Sequence, residues 1–205
     1  MKICAEGAQK NLNVSPPHCD YLFRWQASSP SGYRGGSEGE IVHRPEIRGE
    51  TFADIEGIRE AELAAFPTPG EADLVDQLRQ DGSAVYSLVA VVEGEVVGHI
   101  MFSRMQAPER SLGLAPVAVV ESYRRRGIAA QLIREGLSRA IADGWRCVFV
   151  LGDPYYRRFG FDPALAAGFA SPYAGPHFMA LELQDGVLAA GKGVANYPHA
   201  FKALG

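Results

Sequence analysis

The sequence predicts a mixed α/β fold, with a mixed sheet of about six to seven strands flanked by about four helices. Three observations carry this. Two long apolar runs meet at Glu93-Gly94 in "YSLVAVVEGEVVGHIMFSRM", the pattern of an antiparallel hairpin. The apolar strands "LGLAPVAVV" and "CVFVLGD" flank a helical pattern over 127–143, a strand–helix–strand unit whose strands must run parallel. The remaining helices each have one apolar face, as helices lying on a sheet do.

Taken in order, "IVHRPEI" reads as a first strand. Thr51 then caps a helix over 51–66, in which Ile55, Ile58, Leu63 and Phe66 recur near helical spacing. "PTPG" breaks that helix, and "EADLVDQLRQDG" forms a second one ended by glycine. The hairpin and the strand "LGLAPVAVV" follow. The helix over 127–143 is the strongest, with Ile128, Leu132, Ile133, Gly136, Leu137, Ala140 and Ile141 expected along one face. After "CVFVLGD" come a short helix, "PYYRRFGF", and a strand, "HFMALEL". "GVANYPHAF" is a candidate last strand, confined by Pro198 to an end or an edge. The expected division is a Ser/Gly-rich leader over 1–40, a domain over 41–185 and a C-terminal extension over 186–205.

Composition narrows the function. A chain of 205 residues with 47% hydrophobic residues can bury a full core. Its net charge of -4 argues against a general nucleic-acid or membrane-surface binder. Cys4, Cys19 and Cys147 are too scattered for a disulfide framework or a zinc site, so no metal is expected. No run is long enough to span a membrane and no signal-peptide pattern opens the chain, so the expected compartment is the cytoplasm.

Against this acidic background, residues 123–158 hold eight arginines and three acids. Arg124, Arg125 and Arg126 run into Gly127 where the strongest helix begins. A helix N-terminus has free N–H groups and the positive end of the dipole, an arrangement that binds phosphate. Gly127 and Ala129 keep bulk away from the backbone there. No G-x-x-x-x-G-K-[ST] or G-x-G-x-x-G pattern is present, so residue chemistry alone leads as far as a small pyrophosphate ligand.

"VAVVESYRRRGIA" resembles motif A of the GNAT acetyltransferase superfamily: a strand ending V-A-V, then R/Q-x-x-G-x-G/A. Arg124, Gly127 and Ala129 match its three marked positions. "YYRRFGF" resembles the family's second signature, a tyrosine five residues before the phenylalanine of a G-F pair, matched by Tyr156 and Phe161. The stretch "LGDPYYRRFGF" is similar to bacterial predicted N-acetyltransferases with an LGDPxYYxRFGF motif. The resemblance spans about 41–185 and implies a GNAT-type sheet and acetyl-CoA as co-substrate. It implies that the backbone of Val117, Ala118 and Val119 pairs with the pantetheine arm. It also implies that the amides of Arg125, Arg126, Gly127, Ile128, Ala129 and Ala130 hold the pyrophosphate, and that Tyr156 sits near the thioester sulfur. The asparagine that many members carry at the start of the last short helix is missing here, where the chain reads "GDPYY".

The implied reaction is acetyl transfer to a primary amine by direct attack in a ternary complex. It needs a base for the amine, a donor for the oxyanion and a proton for the thiolate. Tyr156 suits the last role, since a tyrosine titrates near 10 and a thiol near 8.5. The N–H of Val117 or Val119 suits the oxyanion. For the base, Glu62, Glu71, Asp153, His99 and a water molecule are all candidates. Each side chain has a plainer reading: Glu62 and Glu71 as solvated helix positions, Asp153 as a helix cap, His99 as a hydrogen-bonded strand residue. Arg157 and Arg158 could meet a 3′-phosphate or simply face solvent. The acceptor stays open among small amines, amino acids, antibiotics and protein N-termini. A non-catalytic acyl-CoA sensor and an RNA-associated acetyltransferase are the alternatives; the oligomeric state stays open, and a sheet edge near the C-terminal strand could pair two subunits into a homodimer.

Overall fold

A computed structural model describes residues 44–188 and 191–204. The expected leader over 1–40, with Cys4 and Cys19, lies outside them. One six-stranded sheet organises the chain, in the order β1 (Glu46–Gly49), β2 (Ala84–Val92), β3 (Glu95–Arg104), β4 (Ser111–Val119), β5 (Cys147–Leu151), β7 (Phe178–Glu182). Every neighbouring pair is antiparallel except β4 with β5. The one parallel pair is joined by α3 (Ile128–Ala142), the crossover that the strand–helix–strand pattern demanded. A small parallel pair, β6 (Phe169–Ala170) with β8 (Gly193–Val194), lies apart. Among the described residues no helix is long and apolar enough to cross a membrane.

Alternation along the strands divides the core into two layers. Leu88, Ala90, Ile100, Phe102, Val148 and Val150 face α3 with its Ile128, Leu132 and Ile133. Val89, Val91, Met101 and Phe149 face the other way. There they meet α1 (Ile55–Ala65), α2 (Gly70–Gln80) and a 3₁₀ turn at His199–Leu204.

Several local expectations are corrected. Leu63 and Ile141 are exposed at 45% and 57%, because Ala61 and Glu62 in α1 and Ala129 in α3 take the buried positions instead. The first strand runs over Glu46–Gly49, beyond most of "IVHRPEI". "PYYRRFGF" is a 3₁₀ helix over Pro154–Phe159, opened by Pro154 and closed by Gly160. A short α4 (Pro163–Ala166) and β6 went unread. Of "GVANYPHAF" only Gly193–Val194 is strand; Asn196 adds one bridge to Gln106 before the chain coils.

Thr51 caps a 3₁₀ turn, Phe52–Asp54, that leads into α1. The Asp54 carboxylate accepts from the Thr51 N–H and hydroxyl, each at 2.7 Å, and takes both Arg48 terminal nitrogens at 2.6 and 2.8 Å. The Arg48 bonds hold its carboxyl well below the usual carboxylate range. Its stabilisation is therefore full above the unfolded carboxyl pKa, about 3.9, and is lost as pH falls through the lower folded value. Asp54→Asn is expected to cost about 1.5–3 kcal/mol of stability at pH 7. Urea titrations at pH 7 and pH 3 check this: the gap between variant and wild type should narrow at pH 3.

Candidate active site

The parallel pairing of β4 with β5 covers only Ser111–Leu114 against Cys147–Val150. Beyond it the two strands part. β4 continues to Val119 along β3, with a register irregularity between Ile100 and Phe102 that falls opposite Ala115 and Pro116. Such a bulge re-aims a strand. Pro116 has no N–H to offer a neighbour. β5 stays with β7, and the Gly152 N–H reaches the His177 carbonyl at 2.9 Å. The sheet therefore splits, and a cleft fills the gap. Its walls are Leu114–Val117 and Val119 of β4, Ala129 and Ile133 of α3, and Leu151, Asp153, Tyr155 and Tyr156 after β5. Ala65 and Phe66 at the end of α1, with Arg124, close it on the opposite side of the sheet from α3.

At one mouth of the cleft α3 begins. Gly127 is its N-cap at φ 80, and Arg125 is left-handed too at φ 63. The first bond back to the cap is Gln131 N–H to the Gly127 carbonyl at 3.1 Å. No side chain caps the helix and no acid stands in its first turn. The N–H groups of Ile128, Ala129 and Ala130 are therefore the helix's unpaired donors, at the positive end of its dipole. Arg125 and Arg126 are exposed, and the Arg126 guanidinium lies over the Tyr123 ring at 5.2 Å. Arg124 departs from the expected cluster of three charges. Its side chain turns inward, donating to the Val119 carbonyl at 3.0 Å and the Ala65 carbonyl at 3.3 Å. It ties the free end of β4 to the end of α1 across the cleft.

On the other wall, the Asp153 carboxylate accepts the Tyr155 N–H at 2.6 Å, the capping role its plainer reading gave it. This starts the 3₁₀ helix that carries Tyr156. The Tyr156 ring packs edge-on against Phe161 and Tyr155, at 5.9 and 5.8 Å between centroids, while also lining the cleft. Packing and cleft exposure are thus not alternatives for this residue. Burial pushes its hydroxyl above the usual tyrosine value, with the Asp153 charge adding to the shift. The phenol keeps its proton through the neutral range. A Cβ on Gly152 would stand 2.3 Å from the Tyr156 ring. Gly152→Ala is expected to displace that ring and to lower the thermal midpoint, as overpacking does.

Glu62 and Glu71 overturn their expected place on solvated helix faces. Glu62 is 0% exposed and Glu71 3%. Glu62 Oε1 lies 2.6 Å from His99 Nδ1, and His99, itself 0% exposed, meets Ser87 Oγ at 2.9 Å through Nε2. Ser87 contacts Glu50, which Arg79 holds at 2.6 Å. Burial pushes the Glu62 carboxyl up, against the opposing pull of His99 and Arg79. It also pushes up Glu71, whose own N–H and Thr68 oppose it while the Glu62 charge adds to the rise. The signal was present in the sequence: Glu62 stands four residues after Ile58, on the buried face of α1.

Of the other expected residues, Val117, Val119 and Ala129 line the cleft. Ala118 points into the layer beyond the sheet, paired across from His99. Ile128 is buried under α3 and Ala130 is half-buried, so only their backbones can meet a ligand at the helix end.

The chain has relatives in sequence and in fold. The acetyltransferase (GNAT) family matches residues 55–161. The uncharacterized N-acetyltransferase YhbS of Escherichia coli strain K12 is 37% identical over 162 residues, 76% of this chain and 97% of that protein. The crystal structure of YhbS from Escherichia coli, a GNAT family N-acetyltransferase in complex with CoA, superposes with a TM-score of 0.74 at 34% identity. It covers 81% of this chain and 96% of that one. A GNAT family acetyltransferase from Brucella melitensis in complex with acetyl-CoA gives 0.66 at 34% identity, covering 78% and 99%. Taken with the geometry of the cleft, these likenesses establish that the chain is an acyltransferase, a member of the GNAT family of N-acetyltransferases.

Proposed function

We propose that the chain transfers the acetyl group of acetyl-CoA to a primary amine by direct attack in a ternary complex. The observation that carries this is the sheet split at Ala115, with the uncapped N-terminus of α3 at its mouth. A pyrophosphate at that helix end, held by the amides of Arg125 through Ala130, directs the pantetheine arm into the split. There the edge of Val117–Val119 that β5 does not pair offers it a strand-like partner. The thioester then reaches Tyr156, whose retained proton is available to the departing thiolate. A backbone N–H of Val117 or Val119 serves the oxyanion. Residues 41–185 form the transferase domain in this reading. The acceptor approaches from the α1 and α2 side, past Ala65 and Phe66.

The test has two parts. Acetyl-CoA and CoA should each raise the thermal midpoint, because each binds only the folded state. Acetyl-CoA with a panel of primary amines should then release free thiol in stoichiometric yield with acetylated amine. No midpoint shift at millimolar concentration would refute the cofactor assignment. A shift without thiol release from any amine would refute transfer and leave a sensor.

A further inference from the structure

Arg124 stands apart from the arginines that follow it. Arg125 and Arg126 are exposed, whereas Arg124 is half-buried and lines the cleft. Its hydrogen-bond partners among the described residues are two backbone carbonyls, and neither is an acid. Nε donates to Val119 at 3.0 Å and Nη2 to Ala65 at 3.3 Å. Val119 is the last residue of β4 and Ala65 the last of α1. One planar fork therefore joins the end of a strand to the end of a helix.

The helix end has need of such a tie. The last carbonyls of a helix have no intrahelical partner and carry the negative end of its dipole, so a cation is favourable there. α1 has no basic residue in its own last turn. The bond that closes it runs from the Phe66 N–H to the Glu62 carbonyl at 3.0 Å. Beyond lies Pro67-Thr68-Pro69, where two prolines leave only the Thr68 N–H to anchor the chain. Ala65 and Phe66 both line the cleft, so the position of this end shapes its wall. The root of Arg124 lies in the other half of the site. Its backbone is extended, at ψ 158, and leads into two left-handed residues, Arg125 at φ 63 and Gly127 at φ 80. These belong to the stretch whose amides, from Arg125 to Ala130, hold pyrophosphate in the reading above. No side chain caps the helix that begins there. An anion across those amides orders the backbone one residue from Arg124. A side chain tied at its far end carries that order to α1.

We propose that Arg124 is a positioning residue, the link through which an anion at the start of α3 steadies the last turn of α1 and with it the acceptor's side of the cleft. The inference rests on the acetyl-CoA reading above. The guanidinium stays on its two carbonyls and leaves the phosphates to the amides. Loss of its donors therefore spares cofactor binding and removes the transmission. Lysine is no substitute. Its ammonium keeps the charge but lacks the rigid fork that reaches both carbonyls together.

The test is amide hydrogen exchange on the full chain, with and without saturating acetyl-CoA, and needs no acceptor. The reporters are the amides of Leu63–Phe66 at the end of α1. The control is Leu78–Gln80, the end of α2, none of which lines the cleft. Helix ends exchange by local opening, so global stabilisation by the ligand does not by itself slow them. In the wild type, acetyl-CoA should slow the reporters by about fivefold or more and the control by less than about twofold. Arg124→Met keeps the apolar stem and removes every donor. It should retain the rise in thermal midpoint with acetyl-CoA, while the slowing of the reporters falls below about twofold. Arg124→Lys should lose the slowing likewise, and it decides the question if Arg124→Met fails to fold. A merely structural tie would speed exchange alike with and without acetyl-CoA and leave their ratio at the wild-type value. Retention of that ratio in either variant would overturn the inference. So would unchanged exchange of the wild-type reporters while its midpoint rises. Loss of the midpoint shift in Arg124→Met alone would overturn it as well, because Arg124 would then be a ligand of the anion. Absence of the shift in the wild type marks instead the failure of the cofactor reading.

Discussion

Replacing Tyr156 with phenylalanine is expected to lower kcat by about 10²–10⁴-fold, the range for loss of a positioned proton donor. The KM for acetyl-CoA should change little, because the contacts proposed for its pyrophosphate and pantetheine lie elsewhere. Phenylalanine keeps the ring that packs on Phe161 and Tyr155, so the thermal midpoint should hold. If the midpoint falls together with kcat, the residue serves packing and the proton donor is another group. The pH profile gives an independent reading. Tyr156 must be protonated to serve, and burial raises its pKa above the ordinary value near 10. Its proton is therefore present throughout the neutral and mildly alkaline range. The wild-type rate should show no alkaline fall through about pH 9 attributable to this group. A fall centred near 8 would assign the donor to something more acidic.

Gly127→Glu should abolish stabilisation by acetyl-CoA. At a ligand concentration a hundredfold above Kd, the wild type gains about 2.7 kcal/mol. For a chain of this size that amounts to a rise of roughly 5–10 °C in midpoint. The variant places a carboxylate at the helix end where the anion would sit, against the same donors and dipole. It also forces an L residue into the left-handed conformation at φ 80, which costs about 1–2 kcal/mol with or without ligand. Gly127→Ala separates the two effects. It carries the backbone cost without the charge, and no atom lies within 4 Å of the added Cβ. Alanine should lower the apo midpoint as glutamate does yet retain most of the acetyl-CoA shift. Equal loss of the shift in both variants would show that the backbone conformation, and not charge repulsion, governs binding.

The strands, the helices and the glycine turn that opens α3 were legible because each is written in local chemistry. Apolar runs on either side of Glu93-Gly94 announce the hairpin, and a glycine before an apolar period announces the start of α3. The family likeness rested on that turn and on the Tyr156–Phe161 spacing, both short-range patterns. Errors fell where burial depends on what lies opposite. Leu63 and Ile141 matched a helical period yet face solvent, while Glu62 took a core position in α1. Arg124 looked like one more charge at the turn, although its partners are the carbonyls of Val119 and, 59 residues away, Ala65.

The cleft belongs to this second kind of fact. Nothing in "LGLAPVAVV" or "CVFVLGD" says that their pairing stops after Leu114 and Val150; that follows from β4 staying with β3 and β5 with β7. The hydrogen-bonded Glu62–His99–Ser87–Glu50 chain joins α1, β3, β2 and the residue after β1. Sequence order determined the elements, the glycine turn that opens α3 and the tyrosine of the short helix after β5, because residues within a turn or two of each other settle these. The split in the sheet and the acid pair beneath it were decided by tertiary structure, because strand pairing and desolvation are set by neighbours far apart along the chain.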